Sequence, residues 1–235
     1  MSETNFDLSE LAKYLHLPEA QVKKMADRGH LPGRKVKGEW MFSGSEIHLW
    51  LENRIGMIES DRELATVEGA LTQSVPADEI VPISDLIPPG GIELPLGAKT
   101  KESVIRGMTG IGVRTGLLWD PEKMAEALRK REELHPTALD NGVALLHPRR
   151  PMAGILGETF IALGLNGRGI PFGGGFDSLT DIFFLICSMD DRVHLRVLAR
   201  LSRILTVKGF LEQLREQETE KEVRALIAAT EKEIV

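Results

Sequence analysis

Residues 127–151 read "ALRKREELHPTALDNGVALLHPRRP". A charged, helix-favouring run leads into "HPTALD", and "GVALL" is short and apolar enough for a buried strand. That strand ends at His147, with Pro148, Arg149 and Arg150 directly behind it. An imidazole at a strand end beside fixed positive charge has the chemistry to hold a phosphoryl group. The same description fits an ordinary surface histidine, so the rest of the chain has to decide.

Working outward, helix and strand signals alternate from Val81 onward. "TKESVIRGMTGIGVRTG" places Val104, Ile105 and Met108 on one helical face, and Asp120-Pro121 caps and starts a second helix with Met124, Ala127 and Leu128 inward. "TFIALGL" and "TDIFFLICS" are further strands, joined by the turn-rich "NGRGIPFGGGFDS". "VHLRVLARLSRILT" is amphipathic, and a last helix spans about Thr219 to Ile234. Mixed strands with helices packed on them predict an α/β (α+β) layered domain. The glycines from Gly173 to Gly175 lack the Lys-Ser/Thr ending of a nucleotide loop and read as a tight connection.

The first 55 residues have a different grammar. Leu8, Leu11, Ala12 and Leu15 follow helical spacing behind Asp7, and a second short helix begins near Pro18 and stops at Gly29. "RKVKGEWMF" reads as two short strands around Lys37-Gly38, and a third helix carries Ile47, Trp50 and Leu51 inward. A helix-turn-helix with a two-stranded wing can place one helix in the major groove while the wing touches phosphates. Lys23 and Lys24 on the second helix, with Arg34, Lys35 and Lys37 on the wing, are the candidate DNA contacts. The third helix is expected to run on towards Leu71, where it would offer a surface for pairing two chains.

Charge separates the parts. Residues 1–55 carry 8 Lys/Arg and 8 Asp/Glu, whereas residues 56–80 carry one Arg against six acids. The acidic stretch runs into "VPADEIVPISDLIPPGG", the composition of a connector. The expected organisation is therefore 1–55 helix-turn-helix, 56–80 acidic helical linker and 81–235 layered domain. A formal net charge of -6 argues against coating nucleic acid by bulk attraction. The single cysteine, Cys187, sits in an apolar run and excludes an internal disulfide or a cysteine zinc site. No apolar run approaches the ~20 residues that cross a bilayer, and Met1 to Asp7 carry no signal-peptide pattern, so a cytoplasmic protein is expected.

Two resemblances sharpen this. The Leu8, Ala12 and Leu15 helix, Gly29-His30-Leu31-Pro32, the Trp40 and Phe42 pair and Trp50-Leu51 resemble small winged helix-turn-helix domains of the excisionase and MerR type. Met41 stands where that family often has arginine. The segments 127–151, "GIPFGGGFDSLTDIFFLICS" and "DDRVHLRVLARLSRIL" resemble the fructose/mannitol-type enzyme IIA domain of the bacterial phosphotransferase system, which includes the nitrogen-regulatory IIA proteins. The resemblance implies that His147 accepts a phosphoryl group from the phosphocarrier protein HPr. It implies that Arg131 and a second histidine, His194, stand beside it, with Arg149 and Thr137 as further neighbours of the phosphate. His135, His16, His30 and His48 carry no pattern. The chemistry implied needs no metal, nucleotide or other cofactor.

Together these features predict a bacterial regulatory protein in which phosphorylation of an open, cation-flanked imidazole alters binding of DNA or of regulatory protein targets. A sugar-transport IIA phosphocarrier is a second reading, and the basic wing speaks against it, since a pure phosphocarrier has no use for one. Leu146 and Pro148 replace the family's usual Pro and small residue around the histidine. They favour a third reading, a IIA fold that binds proteins without phosphoryl chemistry.

Overall fold

The computed structural model describes residues 5–15, 17–57, 81–173 and 178–234. After β1 (Asn5–Phe6), the Asp7 carboxylate accepts the Glu10 N–H at 2.8 Å and the Glu10 carboxylate accepts the Asp7 N–H at 2.9 Å, closing a reciprocal cap on α1 (Leu8–Tyr14). The next helix, α2 (Glu19–Asp27), starts behind Pro18. It ends where Gly29 takes a φ of 73°, which lets the Gly29 and His30 amides donate to the Ala26 and Met25 carbonyls. Strands β2 (Arg34–Val36) and β3 (Glu39–Ser43) join through Lys37 and Gly38, with φ of 53° and 91°. Two left-handed residues match the turn to the right-handed twist of the strands. β1 pairs with the other edge of β3, and α3 (Gly44–Met57) follows with no loop between. The expected continuation of α3 towards Leu71, and the linker as a whole, lie outside the described residues.

The second unit runs β4 (Ile92–Glu93), α4 (Lys101–Arg114), α5 (Pro121–Leu134), β5 (Val143–Leu146), a 3-10 turn at Ala153–Ile155, β6 (Phe160–Pro171), β7 (Leu179–Cys187), α6 (Asp191–Thr206), α7 (Phe210–Arg215) and α8 (Glu220–Glu233). Its sheet has the order β4-β6-β7-β5, with β6 and β7 antiparallel and the outer pairs parallel. Alternate residues along a strand face opposite ways. Val143 and Leu145 therefore join the layer of α6 to α8, while Ala144 and Leu146 join the layer of α4 and α5. With both faces covered, β5 and β7 are apolar nearly throughout. This is the mixed, layered α/β domain that the alternation predicted. Cys187 is fully buried at the end of β7, and burial pushes its thiol well above the usual range.

One boundary differs from expectation. Asn166–Pro171, read from sequence as part of a turn-rich connection, belongs to β6. A register irregularity between Leu165 and Ile170 absorbs the glycines and lets the strand resume pairing at Ile170 with Thr180. Composition alone marks such residues as loop, but a bulge keeps them in the ladder.

The two units share one continuous buried cluster. Leu11, Val22, Phe42, Ile47, Leu51 and Ile55 of the first unit are contiguous with Leu195, Leu198 and Ile204 on the α6 side of the sheet. The joint is made by α3 lying against α6. No described helix is long and apolar enough to cross a membrane.

Phe184 is fully buried at the centre of this core. Phe184→Ala is expected to cost about 3–5 kcal/mol of unfolding free energy in urea titration. Val36→Ala, at a wing position that is 45% exposed, is expected to stay within about 0.5 kcal/mol. Similar costs at the two positions would contradict this assignment of the core.

Candidate functional site

His147 directly follows β5, so the strand fixes its backbone. Its Nδ1 lies 2.7 Å from the Leu145 carbonyl, and because a carbonyl only accepts, Nδ1 carries a proton. Nε2 is thereby turned towards the cleft. In the neutral ring its lone pair accepts the Arg131 Nε–H, 3.2 Å away. Arg131 comes from the last turn of α5, where a second guanidinium nitrogen donates to the His135 carbonyl at 2.6 Å. His194 lies in the first turn of α6, which is capped by Asp190 accepting the Arg192 and Val193 amides at 2.9 Å. The rings of His147 and His194 have their centroids 4.9 Å apart. Three residues from three elements, widely spaced in sequence, therefore meet at one point.

The ring is not open, however. His147 is only 3% exposed, and what covers it comes from the helix-turn-helix unit. Glu52 of α3 inserts its carboxylate with Oε2 3.3 Å from His147 Nε2 and 3.7 Å from the Arg131 guanidinium. Its other oxygen, Oε1, lies 2.9 Å from His48 Nε2 and 3.3 Å from His194 Nε2. This corrects the expectation of an imidazole presented to solvent. The third helix of the neighbouring unit brings a carboxylate against its Nε2.

Burial opposes ionisation of Glu52, but the surrounding imidazoles more than reverse this and hold its carboxyl well below the usual carboxylate range. His194 moves the other way, with burial lowering its pKa to about 4 against the pull of Glu52. His194 is therefore neutral at pH 7. For Arg131, burial lowers the pKa and the charges of Glu52 and Glu132 oppose it. A buried charge needs partners, and Glu52 supplies a counter-charge to Arg131 at 3.7 Å while the three imidazoles lie nearer to its own oxygens.

Thr137 is buried at the wall of the cleft, with its hydroxyl and amide both directed to the Glu132 carboxylate. Glu132 also receives Lys101 Nζ at 3.0 Å, which ties the 136–139 segment to α4. Thr137 therefore shapes the wall, while its hydroxyl is already engaged. Arg149 is exposed, and its charge acts on Arg131 from a distance. The cleft holds about 110 Å³ between Glu52, Asn53, Arg131, Thr137 and His147, among others. On α2 and the wing, Lys23, Lys24, Arg34, Lys35 and Lys37 are all exposed. Asp27 draws two of them in, with Lys23 at 2.7 Å and Lys35 at 3.9 Å, and it also accepts the Trp40 Nε1–H at 3.2 Å.

Sequence reasoning missed His48 and Glu52. Their signal was present: they stand four apart on α3, on the same side as the core residues Leu51 and Ile55. Two polar side chains inside an apolar stripe mark a face that meets something polar. Among the described residues, His48, Glu52 and His194 also form a group able to hold a metal ion, with donor atoms all within 4.8 Å of one another. His135 and His30 are exposed, and His16 lies outside the described residues.

The comparisons agree with both halves. A family model described as phosphoenolpyruvate-dependent sugar phosphotransferase system, EIIA 2, matches residues 85–230, and a helix-turn-helix domain model matches residues 6–55. The chain is 28% identical over 147 residues to the PTS system fructose-specific EIIABC component of Bacillus subtilis, covering 62% of this chain and 23% of that protein. It is 26% identical over 152 residues to the fructose-specific EIIA component of Haloferax volcanii, covering 64% of this chain and 97% of that protein. The matched region thus spans about a quarter of the Bacillus relative and nearly all of the Haloferax one. Among solved structures, the IIA mannitol protein of Escherichia coli superposes with a TM-score of 0.53 at 25% identity, covering 59% of this chain and 96% of that one. The nitrogen regulatory protein IIA-Ntr of Neisseria meningitidis superposes with a TM-score of 0.56 at 23% identity, covering 62% and 98%, and so shares the fold. With the layered sheet, the strand-end histidine and a match over more than half its length, this chain belongs to the EIIA 2 family of the phosphoenolpyruvate-dependent sugar phosphotransferase system.

Proposed function

We propose that this protein is a phosphorylation-controlled regulator in which a phosphoryl group on His147 competes with Glu52 of the helix-turn-helix unit for one pocket. The observation that carries this reading is the Glu52 carboxylate, 3.3 Å from His147 Nε2 and 3.7 Å from Arg131. An anion already fills the place beside the imidazole and the guanidinium that a phosphoryl group would need.

The transfer step is simple. With Nδ1 held by the Leu145 carbonyl, Nε2 is the nucleophile. It attacks phosphorus on the phosphohistidine of a donor such as HPr. A new N–P bond forms, the donor's N–P bond breaks, and the electron pair returns to the donor imidazole. Arg131 offsets charge on the equatorial oxygens, and neutral His194 is placed to hydrogen-bond one of them. Docked Glu52 blocks this approach, and Glu52 cannot return afterwards. A phosphoryl group carries about -1.5 to -2 charges. Each like-charge pair at ~4 Å costs about 4 kcal/mol at the effective dielectric of a protein surface. Phosphorylation therefore favours the state in which α3 has left α6.

The exposed cations at Lys23, Lys24, Arg34, Lys35 and Lys37 give the released or docked unit a face for the phosphates of DNA. Docking leaves that face uncovered, so the switch works by changing how the unit is held and what lies beside it. The Haloferax fructose-specific EIIA component is matched over 97% of its length by 64% of this chain, which leaves over a third of this chain without a counterpart in it. A regulatory role makes use of both units. The reading without phosphoryl chemistry is favoured by one observation, the 3% exposure of the His147 ring.

Incubation with phosphoenolpyruvate, enzyme I and HPr, followed by intact mass, should show one acid-labile phosphate that is absent from His147→Ala. Glu52→Ala should acquire it at least about tenfold faster, because the competing anion is gone. No mass gain in either the wild type or Glu52→Ala would leave the scaffold reading standing. A second measurement follows the coupling. Amide exchange in α3 and in the first turn of α6 should accelerate on phosphorylation, and duplex DNA binding should weaken with salt at a slope reduced by Lys35→Ala and Lys37→Ala. Unchanged exchange in a fully phosphorylated sample would separate phosphorylation from undocking.

A further inference from the structure

The group formed by His48, Glu52 and His194 has a property that an ion-pair network does not explain. His48 Nε2 lies 2.9 Å and His194 Nε2 3.3 Å from Glu52 Oε1. Those distances are short enough for hydrogen bonds, yet at the angles observed none of these three buried atoms makes one. An unpaired buried polar atom is costly, and here three lie together. The three atoms are crowded together without pairing with one another.

We infer that His48, Glu52 and His194 form a binding site for a divalent transition-metal ion of the zinc class, built across the contact between α3 and α6. Two imidazoles and one carboxylate are a donor set that zinc takes readily, and three protein ligands leave a fourth position for water or an anion. Bonds of ~2.0–2.1 Å in tetrahedral geometry hold ligand atoms ~3.3 Å apart. That is close to the 2.9 and 3.3 Å separations found around Oε1, and all donor atoms of the group fall within 4.8 Å of one another. His48 and Glu52, four apart on α3, present both donors from one face of a helix. His194 supplies the third from the first turn of α6.

Because two ligands come from the helix-turn-helix unit and one from the IIA domain, the ion would bind only when the units are docked, and would hold them so. It would clamp α3 over His147 and keep Glu52 beside Arg131. Metal binding does not depend on His147 accepting a phosphoryl group, so the two ideas fail separately.

The test uses the full chain, free of purification-tag histidines and stripped with a chelator, titrated with Zn²⁺ or Co²⁺ alone. One ion per chain should bind, Co²⁺ should give the visible bands of a low-coordinate site, and thermal unfolding should move to higher temperature with metal and return with chelator. His48→Gln, Glu52→Gln and His194→Gln should each weaken the site by at least about 100-fold, more than typical losses from outer-shell changes. His30→Gln, at an exposed position of the first unit, should leave it intact. Should a glutamine variant fail to fold, X-ray absorption of the zinc-loaded wild type decides instead, with scattering from two imidazoles expected. Absence of stoichiometric binding would overturn the inference, as would binding that survives all three glutamine variants or a spectrum without imidazole scattering.

Discussion

A carboxylate removed from water has to be compensated by its surroundings, and Glu52 is the point at which this protein meets that demand. Its two oxygens lie among three imidazoles and a guanidinium, and none of the partners beyond His48 belongs to the same unit. Desolvation alone would drive the group to its neutral form. The cationic and polar ring around it keeps the charge in place. That compensation requires α3 to sit against α6, so the position of the first unit and the shape of the cleft follow from the same interaction. The apolar contacts of Leu51 and Ile55 with the α6 layer supply the adhesion. The buried charge supplies the register, since a slide of one turn would strand Glu52 without partners.

The remaining parts of the site are held by ordinary structural devices. β5 is only four residues long, which brings the chain out of the sheet at His147. The Leu145 carbonyl sets the imidazole tautomer, the end of α5 aims Arg131, and the Asp190 cap fixes where α6 begins and hence where His194 points. Glu132, Lys101 and Thr137 tie down the segment along the cleft's edge. Each of these groups is therefore held by a partner on its own side of the cleft, and in the proposed switch the inserted helix is the piece that would move.

The proposed switch would make this pocket a comparator between two anions. With Glu52 in place the buried Arg131 guanidinium has a counter-charge 3.7 Å away, and a vacated pocket would leave that cation without it. Coupling would then need no long pathway through the fold, because carboxylate and phosphoryl group would compete at direct contact. The wing and α2 lie away from that contact and keep their cations exposed in the docked form.

Much of this was legible in the residues alone. The alternation of helix and strand from Val81, the cap at Asp120, the turn at Lys37-Gly38 and the end of the second helix at Gly29 are local matters, set by periodicity and backbone preference. His147 drew notice as a strand-end imidazole, whereas Arg131 and His194 were expected beside it only through the family resemblance; the fold does bring the three side chains together. The strand from Asn166 to Pro171 was not legible, since its glycines read as loop until pairing with β7 supplies the ladder. His48 and Glu52 were passed over for a related reason. On α3 they are two polar residues on a helix face, and nothing within their own segment says what that face meets. Their partners lie 79 or more positions further along the chain, and only the packing of α3 on α6 brings the charges together. Local chemistry thus determined the elements and one side of the pocket, while tertiary packing decided what fills it, because local spacing can mark a polar face on a helix but not the partner that face meets.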